Sequence, residues 1–139
     1  MAEVPSVIFS LSRYAAMGIT GVSIGSNDLT QLMLGVDRDS ELFGDAYDER
    51  DSSVMEAIQS IITQCRQLNL KCSICGQAPS VHPDYAEKLV GWGIDSISVT
   101  VDAIDSTRRN IARAETRILL DAARMGTLQA RSALPITSG

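Results

Sequence analysis

Gly25-Ser26-Asn27-Asp28 follows directly on the short apolar run Gly21-Val22-Ser23-Ile24. A strand that ends in small polar residues and a carboxylate brings backbone N–H groups and an oxygen ligand to one spot. That combination suits an anionic substrate held beside Mg²⁺. Lys71-Cys72-Ser73-Ile74 runs in the same way into Cys75-Gly76-Gln77-Ala78-Pro79-Ser80, setting a thiol at a second strand end before a glycine turn and a new helix start. Glu3, in Glu3-Val4-Pro5-Ser6, would close a third strand end, so its carboxylate and that of Asp28 are expected to converge on one rim. Plainer roles compete at each position. Glu3 could be a surface acid, Asp28 a helix N-cap, and Cys75 a small buried hydrophobe like Cys65 and Cys72. Cys72-Ser73-Ile74-Cys75 is formally a Cys-x-x-Cys, but its odd spacing sends the two thiols to opposite strand faces and no second Cys or His pair accompanies it. Zinc and dithiol chemistry are therefore set aside.

The elements that must position these groups are legible in the periodicity. Val7, Ile8, Leu11 and Tyr14–Ala15 mark a helix opened by Pro5 and ending near Gly18, ahead of strand 21–25. Residues 33–51 read as a long acidic loop. Asp51 or Ser52 then caps a helix carrying Val54, Ile58, Ile61, Ile62, Cys65 and Leu68 on one face. Strand 70–75 is followed by a helix from Pro83 that Gly91 and Gly93 stop, a strand over Ile94–Val101, and a last helix from about Ala103 to Met125 carrying Ile104, Ile111, Ile118, Leu119 and Ala122. Gly126 is its expected terminator, and 126–139 reads as a loose tail. Strand and helix in alternation predict an α/β fold with parallel pairing and right-handed crossovers, the repeating unit of a (β/α)₈ barrel. A whole barrel needs about 250 residues. The 139 residues here, with three full strands and the end of a fourth, amount to about half of one, the C-terminal part. Such a half would expose sheet edges and an inner face holding some of Val22, Ile24, Ile74, Ile97 and Val99, so a homo-oligomer is expected.

Composition narrows the partners. No apolar stretch approaches a membrane span, and Met1-Ala2-Glu3 opens without a basic or apolar leader, so a cytoplasmic protein with three free thiols is expected. The net charge of −5 is concentrated between Asp37 and Glu56, where eight acids face Arg38 and Arg50. The arginines of the last helix alternate with Asp105, Glu115 and Asp121, and only 4% of residues are aromatic, which argues against a nucleic-acid surface.

Taken together, Glu3-Val4-Pro5-Ser6, Gly25-Ser26-Asn27-Asp28-Leu29-Thr30-Gln31, Leu34-Gly35-Val36-Asp37-Arg38-Asp39 with Asp48-Glu49-Arg50-Asp51, and Cys75-Gly76-Gln77-Ala78-Pro79-Ser80 resemble the phosphoenolpyruvate-utilising enzymes over about residues 1–115. Gln77 after the glycine favours the phosphoenolpyruvate synthase (pyruvate, water dikinase) branch, because the pyruvate, phosphate dikinases and sugar-phosphotransferase Enzyme I more often have Glu there. Val99-Thr100-Val101-Asp102 departs from the family's usual Asn-Pro-Asp turn. The resemblance implies the C-terminal part of the family's TIM-barrel domain over 1–125. It implies Mg²⁺ on Glu3 and Asp28, and pyruvate or phosphoenolpyruvate held by Glu3, Gly25, Ser26, Asn27 and Asp28. Cys75 would be the catalytic proton-transfer thiol. It also implies that ATP enters only through domains outside these residues, as do the phosphohistidine and the first half of the barrel, so the isolated chain is expected to be inactive. His82, the sole histidine, is read as part of a helix start and not as the phosphoryl carrier. The competing reading is a non-catalytic assembly or regulatory module that oligomerises through its open edges.

Overall fold

The structure, a computed structural model, describes residues 1–40 and 46–132, with side chains to residue 125. Helix α1 (Val7–Ala16) turns Val7 and Leu11 inward and gives way to β1 (Gly21–Gly25). The chain passes from β1 into α2 (Ser26–Leu34) without a loop, Gly25 itself being the N-cap. Asp51 caps α3 (Ser52–Gln67) by accepting the Ser53 N–H at 2.8 Å, and the apolar face of α3 leads through a tight turn to β2 (Lys71–Cys75). A single turn, α4 (Ala78–Val81), precedes α5 (Pro83–Trp92), where proline opens the helix and Gly93 closes it. Glycine is favoured at 93 by its backbone. Its φ is +85°, and a Cβ would stand 2.9 Å from the Arg66 Nη1 that donates to the Trp92 carbonyl. β3 (Ser96–Ile97), a 3₁₀ turn (Val101–Ala103) and α6 (Ile104–Ser132) complete the described chain.

The three strands form one parallel sheet in the order β1-β2-β3, and Ala2 adds a parallel bridge to Ile24 on the outer side of β1. This is the alternating α/β arrangement expected, with the fourth strand end where Met1–Val4 was read, and it is consistent with part of a barrel. In the register Gly25 stands opposite Cys75, Ser23 opposite Ser73, and Ser73 opposite Ser96.

Three expectations are corrected. First, Ile24 and Ile74 do not face an open side of the sheet. They are wholly buried, and Val22 and Ile97 lie against the same core under the helices. Alternation then gives the other face Gly21, Ser23 and Gly25 from β1, and Lys71, Ser73 and Cys75 from β2, a polar surface that water can wet. Exposed apolar side chains on this face therefore supply no drive to oligomerise. Second, β3 is two residues long, not eight. The Ser98 N–H makes the last rung to the Ile74 carbonyl, and the Thr100 N–H is drawn to Ser80 Oγ at 3.2 Å, which turns the chain out of the sheet before Val101. Third, α6 buries small residues: Thr107 and Ala114, continuing from Ala103, while Ile118 and Leu119 are exposed. Small side chains let α6 lie close to α5, where Arg117 donates to Glu87 at 2.6 Å. α6 also runs through Gly126 to Ser132, since one glycine inside a helix costs only about 1 kcal/mol. Of the expected tail, 133–139 lies outside the described residues, as do 41–45 of the acidic loop. Among the described residues no helix is long and apolar enough to cross a membrane.

Candidate functional site

Three strand ends meet side by side. The Gly25 N–H donates to the Ala2 carbonyl at 3.0 Å, which sets Glu3 beside Gly25, and Gly25 pairs with Cys75. Glu3 lies across the glycine: a Cβ at position 25 would stand 2.6 Å from Glu3 Cγ and 3.0 Å from Oε1. Gly25 is therefore the space in which the Glu3 carboxyl rests. The half-buried Cys75 thiol, on the polar face, points back to β1, donating to the Ile24 carbonyl at 3.6 Å and receiving the Ser23 hydroxyl at 4.0 Å.

The start of α2 interlocks with the thiol turn. Ser26 is fully buried, and its hydroxyl lies 2.7 Å from Glu49 Oε1 and 3.3 Å from the Cys75 carbonyl. A Cβ on Gly76 would collide with Ser26 Oγ and approach Asn27 Oδ1 to 3.3 Å. The Ser26 carbonyl accepts the buried Thr30 hydroxyl at 2.7 Å. Asn27 Oδ1 is buried, and among the described residues it has no hydrogen-bond donor. Leaving such an oxygen unpaired costs about 1–3 kcal/mol, so the position is suited to a ligand hydroxyl, a water or a hard cation. Asp28 is exposed in the first turn of α2, where the helix dipole favours a carboxylate. The N-cap alternative for Asp28 fails, because Gly25 occupies that position.

The segment before α3 closes over this turn. Tyr47 reaches the Asn27 carbonyl with its hydroxyl at 3.4 Å, and burial, then the Glu49 charge, push its phenol up. Tyr85, on α5, is almost fully buried, and burial pushes its phenol up more strongly, with Glu49 adding to the effect. Glu49 and Tyr47 were not singled out as site residues from the sequence. The available signal was a Tyr-Asp-Glu run placed just before a helix cap, but its target on α2 is a tertiary contact.

The other two thiols are core. Cys65 and Cys72 are buried against each other between α3 and β2, and a hydrogen bond with Cys65, then burial, pushes the Cys72 thiol up. His82 is the residue before Pro83 at the start of α5.

The PEP-binding domain model of the PEP-utilising enzymes matches residues 1–116. The chain belongs to the PEP-utilising enzyme family. Among curated relatives, it is 50% identical over 122 residues to a probable phosphoenolpyruvate synthase of Staphylothermus marinus, covering 86% of this chain and 14% of that protein. It is 50% identical over 123 residues to the phosphoenolpyruvate synthase of Aeropyrum pernix, covering 87% and 15%, and 48% identical over 118 residues to that of Aquifex aeolicus, covering 85% and 14%. The chain thus spans about a seventh of the length of these relatives. The resemblance noted in the sequence, including the preference for the synthase branch, agrees with these matches.

Glu3, Gly25 and Cys75 are brought into one line, and Ser26 and Asn27 are wedged against the turn after Cys75. Among the described residues no group of three or more His, Cys, Asp or Glu side chains could cage a metal ion. What the strand ends do offer is the Glu3 carboxylate over Gly25 and, in the first turn of α2, the Asn27 oxygen and the exposed Asp28 carboxylate. Hard oxygens of this kind are the donors Mg²⁺ takes, with water or substrate oxygens filling most of its shell.

Proposed function

We propose that the chain is the pyruvate- and phosphoenolpyruvate-binding C-terminal part, about half, of the barrel of a phosphoenolpyruvate synthase, the enzyme converting ATP, pyruvate and water to AMP, phosphoenolpyruvate and phosphate. The observation that carries this reading is the line Glu3–Gly25–Cys75 across three neighbouring strand ends, with Ser26 and Asn27 locked onto the Cys75-Gly76 turn. Glu3 and Asp28 would hold Mg²⁺, which when bound supplies positive charge beside the enolate oxygen. The N–H groups at the start of α2 face the substrate's negative oxygens, and the Asn27 carboxamide orients the molecule.

With its own proton already released, the half-buried Cys75 sulfur takes the proton from the methyl carbon of pyruvate as phosphoenolpyruvate is made, leaving the electron pair in the enolate, and returns it in the reverse direction. The enolate oxygen then accepts the phosphoryl group, forming an O–P bond as the N–P bond of a phosphohistidine breaks. That histidine and the ATP site belong to segments beyond these residues, so the chain by itself binds without turning over.

Calorimetric titration tests the reading with oxalate as an enolate mimic. Mg²⁺ alone should bind weakly, oxalate should tighten it about tenfold or more, and Glu3→Ala or Asp28→Ala should abolish the gain. Metal and oxalate binding unchanged in both variants would refute the assignment.

A further inference from the structure

Glu49 belongs to none of the strand ends, yet its carboxylate oxygen lies 2.7 Å from the hydroxyl of Ser26, a fully buried polar side chain at the site. A serine hydroxyl has one proton and three staggered positions. The short contact to a carboxylate commits that proton to Glu49 and fixes the rotamer. In this rotamer Ser26 Oγ fills the space over Gly76 and stands 3.3 Å from the Cys75 carbonyl. We propose that Glu49 is a positioning residue for the thiol turn: by holding the Ser26 hydroxyl as a wedge against Cys75-Gly76, it fixes where the Cys75 sulfur stands relative to the start of α2.

The arrangement explains why a carboxylate is kept beside a buried serine. An alanine at 49 frees the hydroxyl to rotate, and the turn then loses the group packed over Gly76. Tyr47, two residues earlier, fixes the same segment from above through the Asn27 carbonyl. The importance of this positioning for proton transfer rests on the reading of Cys75 given above, whereas the mechanical coupling does not.

Alkylation with iodoacetamide and peptide mapping measures the coupling on the chain as it stands, because Cys65 and Cys72 are buried thiols that report loss of the fold. Glu49→Ala should raise the Cys75 rate about threefold or more, with Cys65 and Cys72 still protected. Ser26→Ala should do the same, and the double variant should react no faster than either single one, since both act through one contact. Glu49→Gln, which keeps a carbonyl acceptor at the same reach, should stay within about twofold of the parent. An unchanged Cys75 rate in Glu49→Ala, effects of the two substitutions that multiply, or a parallel rise at all three thiols would overturn the proposal. Titration of the parent chain with Mg²⁺ and oxalate separates the two readings: absence of oxalate binding refutes the substrate assignment, while the alkylation rates alone decide the role of Glu49.

Discussion

Gly76→Ala is the sharpest test of how α2 and the thiol turn fit together. The added methyl group would overlap Ser26 Oγ, stand 3.2 Å from Ser26 Cβ and approach Asn27 Oδ1 to 3.3 Å. Ser26 cannot swing aside cheaply, because it is fully buried and its hydroxyl is engaged by Glu49 and the Cys75 carbonyl. Overpacking of this kind costs about 1–3 kcal/mol. With a urea m-value of about 2 kcal/mol/M for a chain of this size, the unfolding midpoint should fall by about 0.5–1.5 M at unchanged m. Trp92, the sole tryptophan, is half-buried against the core and provides the fluorescence signal. Ser26→Ala removes the colliding oxygen, so the double variant should recover at least about 1 kcal/mol relative to the sum of the single effects. Any backbone cost at position 76 is common to both arms and cancels from this coupling. Strictly additive losses would mean that Ser26 Oγ does not occupy the space over Gly76, and the interlock described here would be wrong.

Gly25→Ala should behave differently, since the atoms in its way are those of the half-buried Glu3 side chain; it should lose oxalate-dependent Mg²⁺ binding with less loss of stability than Gly76→Ala, as read by calorimetry and urea titration. Ile74→Ala, which empties a wholly buried site under the helices, should cost about 2–5 kcal/mol in the same urea assay. The carboxyls of Asp51 (held by Ser53), Asp95 (by Lys71, then the Cys72 N–H) and Asp48 (by the Arg50 N–H) lie below the usual carboxylate range. Their stabilisation should be complete above about pH 4 and fade as pH falls through each depressed value. The raised Tyr85 phenol has the opposite sign, so stability should also decline as pH rises past about 10, giving a plateau in urea midpoint between the two limbs. In the parent chain iodoacetamide should label Cys75 first, with Cys65 and Cys72 reacting only as the chain unfolds.

The parts of the fold that the sequence made legible are those whose cause is local. Gly25 opening a polar tetrapeptide, Cys75-Gly76 before a helix, Asp51 ahead of an apolar periodicity, and Pro83 with Gly93 at the two ends of a helix each state their backbone requirement within a few residues. What escaped the sequence depends on register and distance. Val22, Ile24, Ile74 and Ile97 could be placed on one face by alternation, but which face the helices cover is decided by how α1, α3 and α5 pack, and they cover the apolar one. The length of β3 turned on one hydrogen bond from the Thr100 N–H to the Ser80 side chain, and the role of Glu49 on a contact across 23 residues.

The correction at the sheet faces also bears on what holds the candidate site. Because the apolar side of the sheet is already buried under its own helices, the strand ends carrying Glu3, Gly25 and Cys75 are held in register by this chain's own core. The opposite face, with Ser23, Ser73 and Ser96 in one row across the strands, offers a covering segment hydrogen-bonding groups and little apolar area. A segment completing a barrel over that face would gain little from hydrophobic burial there. Its contribution would instead be to enclose the Cys75 thiol and exclude water, which is the condition under which fixed N–H dipoles and a metal charge act most strongly on an enolate. The fold of these strands and the proposed chemistry at their ends are then separable, and core variants such as Ile74→Ala should change stability while leaving the relative reactivity of the native-state thiols in the same order.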